Sequence, residues 1–256
     1  MSRTSSPLRP IIRVSRRDDG APGEVVLHLL AGFGVDVDGE EVPLPGSAQR
    51  LVAFVALHER PVLRPYAAGT LWLDWPETRA AGNLRSALWR IQRHAPELVS
   101  ADSHMLRLGR CVRVDLREAE TLARAELAGD SPGTGTKPEA LALDLLPDWY
   151  DDWVLLERER FRQLRLRALE SRCDRLTAAG RLDEALEAGL LAVSGEPLRE
   201  SAHRALVRLH LEEGNAAEAL RQFRLCRRLL FEQLGVEPSP RMLELVAGLD
   251  ARNMHG

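Results

Sequence analysis

Arg79, Asn83, Ser86, Arg90 and Arg93 are spaced four, three, four and three residues apart. At 100° per residue they fall within an arc of about 80° on one side of a helix. Their side chains are three guanidiniums, an amide and a hydroxyl. The stretch 76–94 holds one acid, Glu77, at its N-terminal end, where the helix dipole favours a carboxylate. Such a face presents planar forks of N–H donors, a mixed donor–acceptor amide and a small hydroxyl. These are the groups that pair with guanine, with adenine, and with a phosphate or base edge. Leu84, Leu88 and Ile91, with Ala80, Ala81 and Ala87, fall on the opposite side as a core-facing stripe. For an isolated helix a plain solvated face is the competing reading, so the neighbouring elements decide.

Those neighbours read as strands, two helices and a hairpin. Val25 to Leu30 is a short β-rich run, and residues 35–44 alternate around Asp38-Gly39, a strong hairpin signal. Ser47 is expected to cap a helix over 47–58, and residues 64–72 form a shorter helix with Pro65 in its first turn. Asp74-Trp75-Pro76-Glu77 offers an acid cap and a capping-box Glu for the helix over 76–94. Residues 98–100 and 105–108 then flank an Asp102-Ser103 turn, and 111–114 is a further strand. Strands, a short helix, a polar-striped helix and a hairpin, in that order, are a winged helix-turn-helix.

Val62-Leu63-Arg64, Leu71-Trp72 and the run Ala81-Gly82-Asn83-Leu84-Arg85-Ser86-Ala87-Leu88-Trp89-Arg90-Ile91-Gln92-Arg93 resemble the DNA-binding domain of the bacterial antibiotic regulatory protein family (SARP). The resemblance implies a winged helix of the OmpR/PhoB type with an N-terminal antiparallel sheet. On that fold Arg79, Asn83, Ser86, Arg90 and Arg93 are the expected base readers. Arg64, Arg85, His104 and Arg107 are the expected phosphate contacts. Arg85 lies off the stripe, on the flank nearer Trp89 and Gln92. Leu73, Asp74 and Trp75 project as candidate RNA polymerase contacts, or Trp75 staples the helix start. Two positions depart from the family pattern. Leu63 stands where Ser or Thr usually caps the second helix, and Ser103-His104-Met105 lacks the Gly-Tyr of the wing.

From Asp115 the pattern turns helical. Residues 116–128 form one amphipathic helix, and Asp151-Asp152 can cap a long helix over 153–179. Gly180-Arg181-Leu182-Asp183-Glu184-Ala185-Leu186 then recurs as Gly214-Asn215-Ala216-Ala217-Glu218-Ala219-Leu220, an offset of 34 residues. That is the tetratricopeptide period. Ala192 and Cys226 occupy one position of the two copies. Leu145-Leu146-Pro147-Asp148, Asp152-Trp153 and Leu234-Gly235-Val236-Glu237-Pro238 resemble the bacterial transcriptional activator domain that follows the winged helix in the same family. The expected architecture is an α+β winged helix-turn-helix followed by an all-α tetratricopeptide-like array. The expected domains are a tail over 1–24, a winged helix over 25–115 and a helical domain over 116–256, with a linker at about 129–138. Helices over 153–179 and 241–249 are expected to cap the two repeats.

Composition excludes several classes. Over 256 residues the net charge is −3, with 45% hydrophobic and 29% charged residues, so no general basic coat is present. Residues 1–24 are net +2, 25–115 neutral and 116–256 net −5. Lys137 is the single lysine; that bias runs through the whole chain, fits a GC-rich genome and carries no functional weight. Cys111, Cys173 and Cys226 form neither a disulfide framework nor a zinc pattern and are expected as small buried hydrophobes. No apolar run reaches membrane length and no signal peptide opens the chain, so a cytoplasmic protein without membrane association is expected. G-x-S-x-G, P-loop, H-E-x-x-H and G-x-G-x-x-G motifs are absent, as is a receiver aspartate cluster. His203 and His210, seven apart, read as surface or groove residues rather than a metal pair. Asp148, Asp151 and Asp152 beside Trp149, Tyr150 and Trp153 read as a helix cap with packed aromatics. No catalytic residue, metal or cofactor is expected.

The resemblance implies a transcriptional activator, pathway-specific for a biosynthetic gene cluster, that binds promoter direct repeats near the −35 element and recruits RNA polymerase holoenzyme. Its partners are double-stranded promoter DNA and the polymerase, with a homodimer left open. The alternative is a protein-interaction adaptor whose winged helix has lost DNA binding. The neutral charge of 25–115 and the missing cap at Leu63 favour that alternative; the Arg/Asn stripe disfavours it.

Overall fold

The computed structural model describes residues 24–129 and 138–250. The expected tail and linker fall almost wholly outside those residues. In chain order the first half contains β1 (Val25–His28), β2 (Gly34–Val37), β3 (Glu40–Glu41), α1 (Gly46–Ala56), β4 (Val62–Leu63), α2 (Arg64–Leu71) and α3 (Glu77–His94). It continues through β5 (Val99–Ala101), β6 (Met105–Leu108), β7 (Val112–Val114) and α4 (Asp115–Ala128). The second half holds a 3-10 turn (Pro138–Ala142), α5 (Asp152–Ala178), α6 (Leu182–Gly195), α7 (Glu200–Glu212), α8 (Ala216–Leu234) and α9 (Pro240–Asp250).

This is a winged helix followed by a helical-repeat array. The Asp38-Gly39 hairpin forms as expected. Both residues have positive φ, 53° and 82°, which a two-residue turn with the strand twist requires. The last strand of the module departs from simple hairpin order. β7 pairs parallel with β1, placing Leu27 opposite Val114, so the first sheet runs β3-β2-β1-β7. A second sheet, β4-β6-β5, packs on the three helices and carries the wing turn between β5 and β6.

Three expected caps are corrected. Ser47 does not cap α1; Pro45 holds the cap position and its carbonyl accepts the Ala48 and Gln49 N–H groups, which leaves the Ser47 hydroxyl free. Asp74 does not cap α3. The Trp75 N–H closes a turn onto the Trp72 carbonyl, so the helix begins only after Pro76. Asp151 precedes α5, but its carboxylate accepts from Arg50 of α1 instead of capping, and α5 starts at Asp152. Leu63 brings no capping side chain to α2, and strand pairing fixes the entry to the helix instead. Leu63 sits opposite Met105, and the Arg64 N–H donates to the His104 carbonyl at 2.9 Å.

The core-facing stripe of α3 is buried at Ala80, Leu84, Ala87, Leu88 and Ile91, while Ala81 is half-buried. One hydrophobic core joins the modules: Leu27, Leu51 and Phe54 belong to the same cluster as Leu122, Leu145, Val154 and Phe161. Trp153 meets the Phe54 ring edge-on at 5.2 Å. Between them, residues 143–149 run as irregular chain whose carbonyls need partners. Arg158 supplies them, donating to the Leu145, Leu146 and Trp149 carbonyls. Asp115 ties the modules at another point, its carboxylate accepting from the Leu29, Leu30 and Leu116 N–H groups.

The 34-residue echo is structural. Gly180 and Gly214 end helices at φ 72° and 73°, and Ala192 and Cys226 are both buried at the equivalent contact. Cys173 and Cys226 are buried as expected; Cys111 is exposed at the β6–β7 turn. His203 is corrected from a groove residue to a buried one, wedged between the Pro197 carbonyl and Gln222. No helix among the described residues is long and apolar enough to cross a membrane.

Candidate nucleic-acid interface

α3 forms because its apolar positions recur at helical spacing and close on α1 and α2. That packing fixes which side faces out. Arg79, Ser86, Arg90 and Arg93 are exposed along that side, and Asn83 is half-buried among them. Three of the arginines are held. The Arg79 guanidinium lies over the Trp75 ring, 3.7 Å from its centroid. Arg93 lies over Trp89 at 5.4 Å. Arg90 donates through Nη1 to the Ser47 hydroxyl at 2.8 Å. Ser86 donates back to the Gly82 carbonyl at 3.1 Å, leaving its lone pairs outward. Arg85 is exposed on the flank of the helix, beside the stripe.

Arg64, His104 and Arg107 converge on the wing turn. Asp102 organises it: one carboxylate oxygen accepts the His104 and Met105 N–H groups at 2.8 and 2.7 Å. Those two amides hold the Asp102 carboxyl below the usual carboxylate range. Arg64 donates to the Asp102 carbonyl at 2.9 Å, and Arg107 stands 3.7 Å from its carboxylate. The turn therefore carries cationic and aromatic-nitrogen side chains around one well-satisfied acid.

Leu73 and Asp74 are exposed, Leu73 to 83%. Trp75, 43% exposed, joins this loop to the first turn of α3 through Arg79. Three contributors were not identified as such from sequence: Ser47, read as a helix cap; Asp102, read only as a turn; and Trp89, 61% exposed beside Arg93. The Asp-Ser-His-Met order was a usable signal for Asp102, since Asp closes local turns with its own side chain. Among the described residues no cluster of His, Cys, Asp and Glu could hold a metal.

A three-helix unit with an arginine-bearing third helix, a wing and an appended helical-repeat array make a two-module winged-helix architecture. Residues 114–249 match the bacterial transcriptional activator domain. The chain belongs to that family, within the SARP group of transcriptional activators. The family is one of transcriptional regulators.

Over 225 residues the chain is 31% identical to the regulatory protein AfsR of Streptomyces griseus, covering 81% of this chain and 23% of the relative. It is 28% identical to AfsR of Streptomyces coelicolor over 225 residues, again 81% of this chain and 22% of the relative. The chain thus spans under a quarter of those proteins. The solved structure of Mycobacterium tuberculosis EmbR, in complex with a low-affinity phosphopeptide, shares the fold with a TM-score of 0.69 at 18% identity. It covers 90% of this chain and 66% of that one.

Proposed function

We propose that this chain binds double-stranded promoter DNA through α3 and its wing and activates transcription by contacting RNA polymerase. Arg79, Asn83, Ser86, Arg90 and Arg93 read base edges. Arg64, Arg85, His104 and Arg107 hold phosphates. Leu73, Asp74 and Trp75 meet the polymerase. The observation that carries the reading is the outward face of α3: in its 18 residues the one acid is Glu77, in the first turn, and Arg79, Ser86, Arg90 and Arg93 are exposed around a half-buried Asn83. Guanidinium forks and an amide in that arrangement discriminate bases by about 1–3 kcal/mol each. Membership of the SARP group suggests control of a biosynthetic gene cluster through promoter direct repeats, with a second copy bound beside the first.

The test is selection of duplexes from a random pool with the full chain, followed by footprinting of the recovered site. A defined motif bound with a steep salt dependence is the expected result. Recovery of no motif, with binding equal on all duplexes or undetectable, would leave the repeats as the working surface of an interaction adaptor.

A further inference from the structure

Ser47 lies one residue inside α1, where its hydroxyl has no capping role because Pro45 closes the helix start. Its Oγ instead accepts from Nη1 of Arg90, across the α1–α3 contact, at 2.8 Å. We infer that Ser47 is a positioning residue for Arg90 in base recognition, an inference that rests on the DNA-binding proposal.

Arg90 is exposed on a long, rotamer-rich stem, and ordering such a side chain at the moment of binding opposes association. A bond from one terminal nitrogen to a fixed helix settles the guanidinium plane beforehand. It also selects which edge remains. With Nη1 directed to Ser47, the Nε and Nη2 N–H groups form the free side-on fork. Two parallel donors are what the O6 and N7 acceptors of guanine require. Ser47 is half-buried at the rim of α1 and is held by the helix backbone, so it is a rigid acceptor. A carboxylate in its place would hold the arginine more strongly and neutralise it. A hydroxyl orients the guanidinium and leaves its charge for the DNA.

The experiment is a double-mutant cycle on the full chain with the duplex recovered by selection, measuring affinity for that duplex and for single-base variants of it. Ser47→Ala should weaken binding to the selected duplex about three- to tenfold, the effect of one hydrogen bond. It should also relax preference at the base position that Arg90→Ala relaxes. Ser47→Thr, which keeps the hydroxyl, should retain the parent affinity. In the Arg90→Ala background, Ser47→Ala should add no further loss. Thermal unfolding of each variant separates a folding defect from a binding one. Additive losses, or tighter binding by Ser47→Ala, would overturn the positioning role while leaving Arg90 as a reader. If Arg90→Ala alone changed nothing, the reader assignment itself would fall, and Ser47 with it.

Discussion

The guanidinium carbon of Arg79 sits 3.7 Å from the centroid of the Trp75 ring, so the loop between α2 and α3 is fastened to the first turn of α3 by a cation–π contact. Trp75 therefore serves the helix whose face is proposed to read DNA, while part of its ring stays in solvent. Trp75→Ala should free Arg79 and weaken binding to the selected duplex about two- to fivefold, consistent with the roughly 0.5–1 kcal/mol of an exposed contact of this kind. Trp75→Phe should recover most of that loss. Activation measured at saturating protein separates a polymerase contact from the DNA effect: a deficit that persists at full occupancy assigns the exposed ring to the polymerase.

Arg90 and Arg85 should behave differently. Arg90→Ala should lower affinity for the selected duplex about 5- to 150-fold and relax one base position. Arg85→Ala should weaken selected and scrambled duplexes about equally and reduce the salt slope by about one. Titrations at two salt concentrations decide. Equal losses on both duplexes for Arg90→Ala would make it a phosphate contact.

Gly189 lies within α6, where a methyl group would come within 2.4 Å of Leu206 Cδ2 and 3.2 Å of Cys173 Sγ. The crossing of α6 with α7 and α5 thus depends on a missing side chain. Gly189→Ala gains helix propensity but must displace a buried leucine, and overpacking of this kind costs about 1–3 kcal/mol. A lower melting temperature is expected; an increase would mean that Leu206 moves aside freely.

Glu126 is fully buried at the end of α4, accepting from Arg172 at 2.5 Å and from Arg175. Glu126→Ala takes the buried carboxylate from two guanidiniums, leaving Arg172 only Glu184 at 3.9 Å. Removing one partner of a buried pair costs about 3–5 kcal/mol, and the water contact that Arg175 keeps should bring the loss here to about 2–4 kcal/mol. Denaturant unfolding measures it directly. A shift below about 1 kcal/mol, the range of an exposed pair, would mean that both arginines find other partners.

The His203 ring donates from Nε2 to the Pro197 carbonyl at 2.9 Å and accepts at Nδ1 from the Gln222 amide at 2.7 Å, an arrangement that fits one neutral tautomer. Burial pushes its pKa below the usual 6.5. The unfolded chain takes up a proton that the folded one refuses. This contribution is complete above about pH 6.5 and is lost as pH falls toward the folded pKa. The parent should lose more melting temperature between about pH 7 and about pH 5 than His203→Gln. Equal losses would assign the acid limb to other groups.

The sequence carried the helices, the polar stripe of α3 and the repeat because each has a local period. Leu84, Leu88 and Ile91 declare the buried side of α3 from spacing alone, and Gly180 and Gly214 declare the repeat by their interval. The parallel return of β7 to β1, and the bridge between Leu30 and Leu145, are pairings between residues far apart in the chain. A strand's hydrophobic pattern names a buried face but not its neighbour. The caps failed for a related reason. Ser47, Asp74 and Asp151 are good capping types, yet the chain entering each helix turns so that a proline or a backbone carbonyl does the work. Two of the freed side chains, Ser47 and Asp151, then bond across the fold to Arg90 and Arg50. The partner of a polar side chain is a tertiary fact, which is why the stripe was visible and its fastenings were not.

The edge-on meeting of Trp153 with Phe54 belongs to a core shared by α1, α3 and α5, so a swing of α3 against the repeats would have to open that core. The angle between them is set when the chain folds. On the proposed DNA complex, a protein gripping the repeat array would be placed at a fixed azimuth and distance around the double helix, as a ruler is fixed by where its zero is clamped. In that complex, moving the bound site by half a helical turn would carry the array to the opposite side of the duplex.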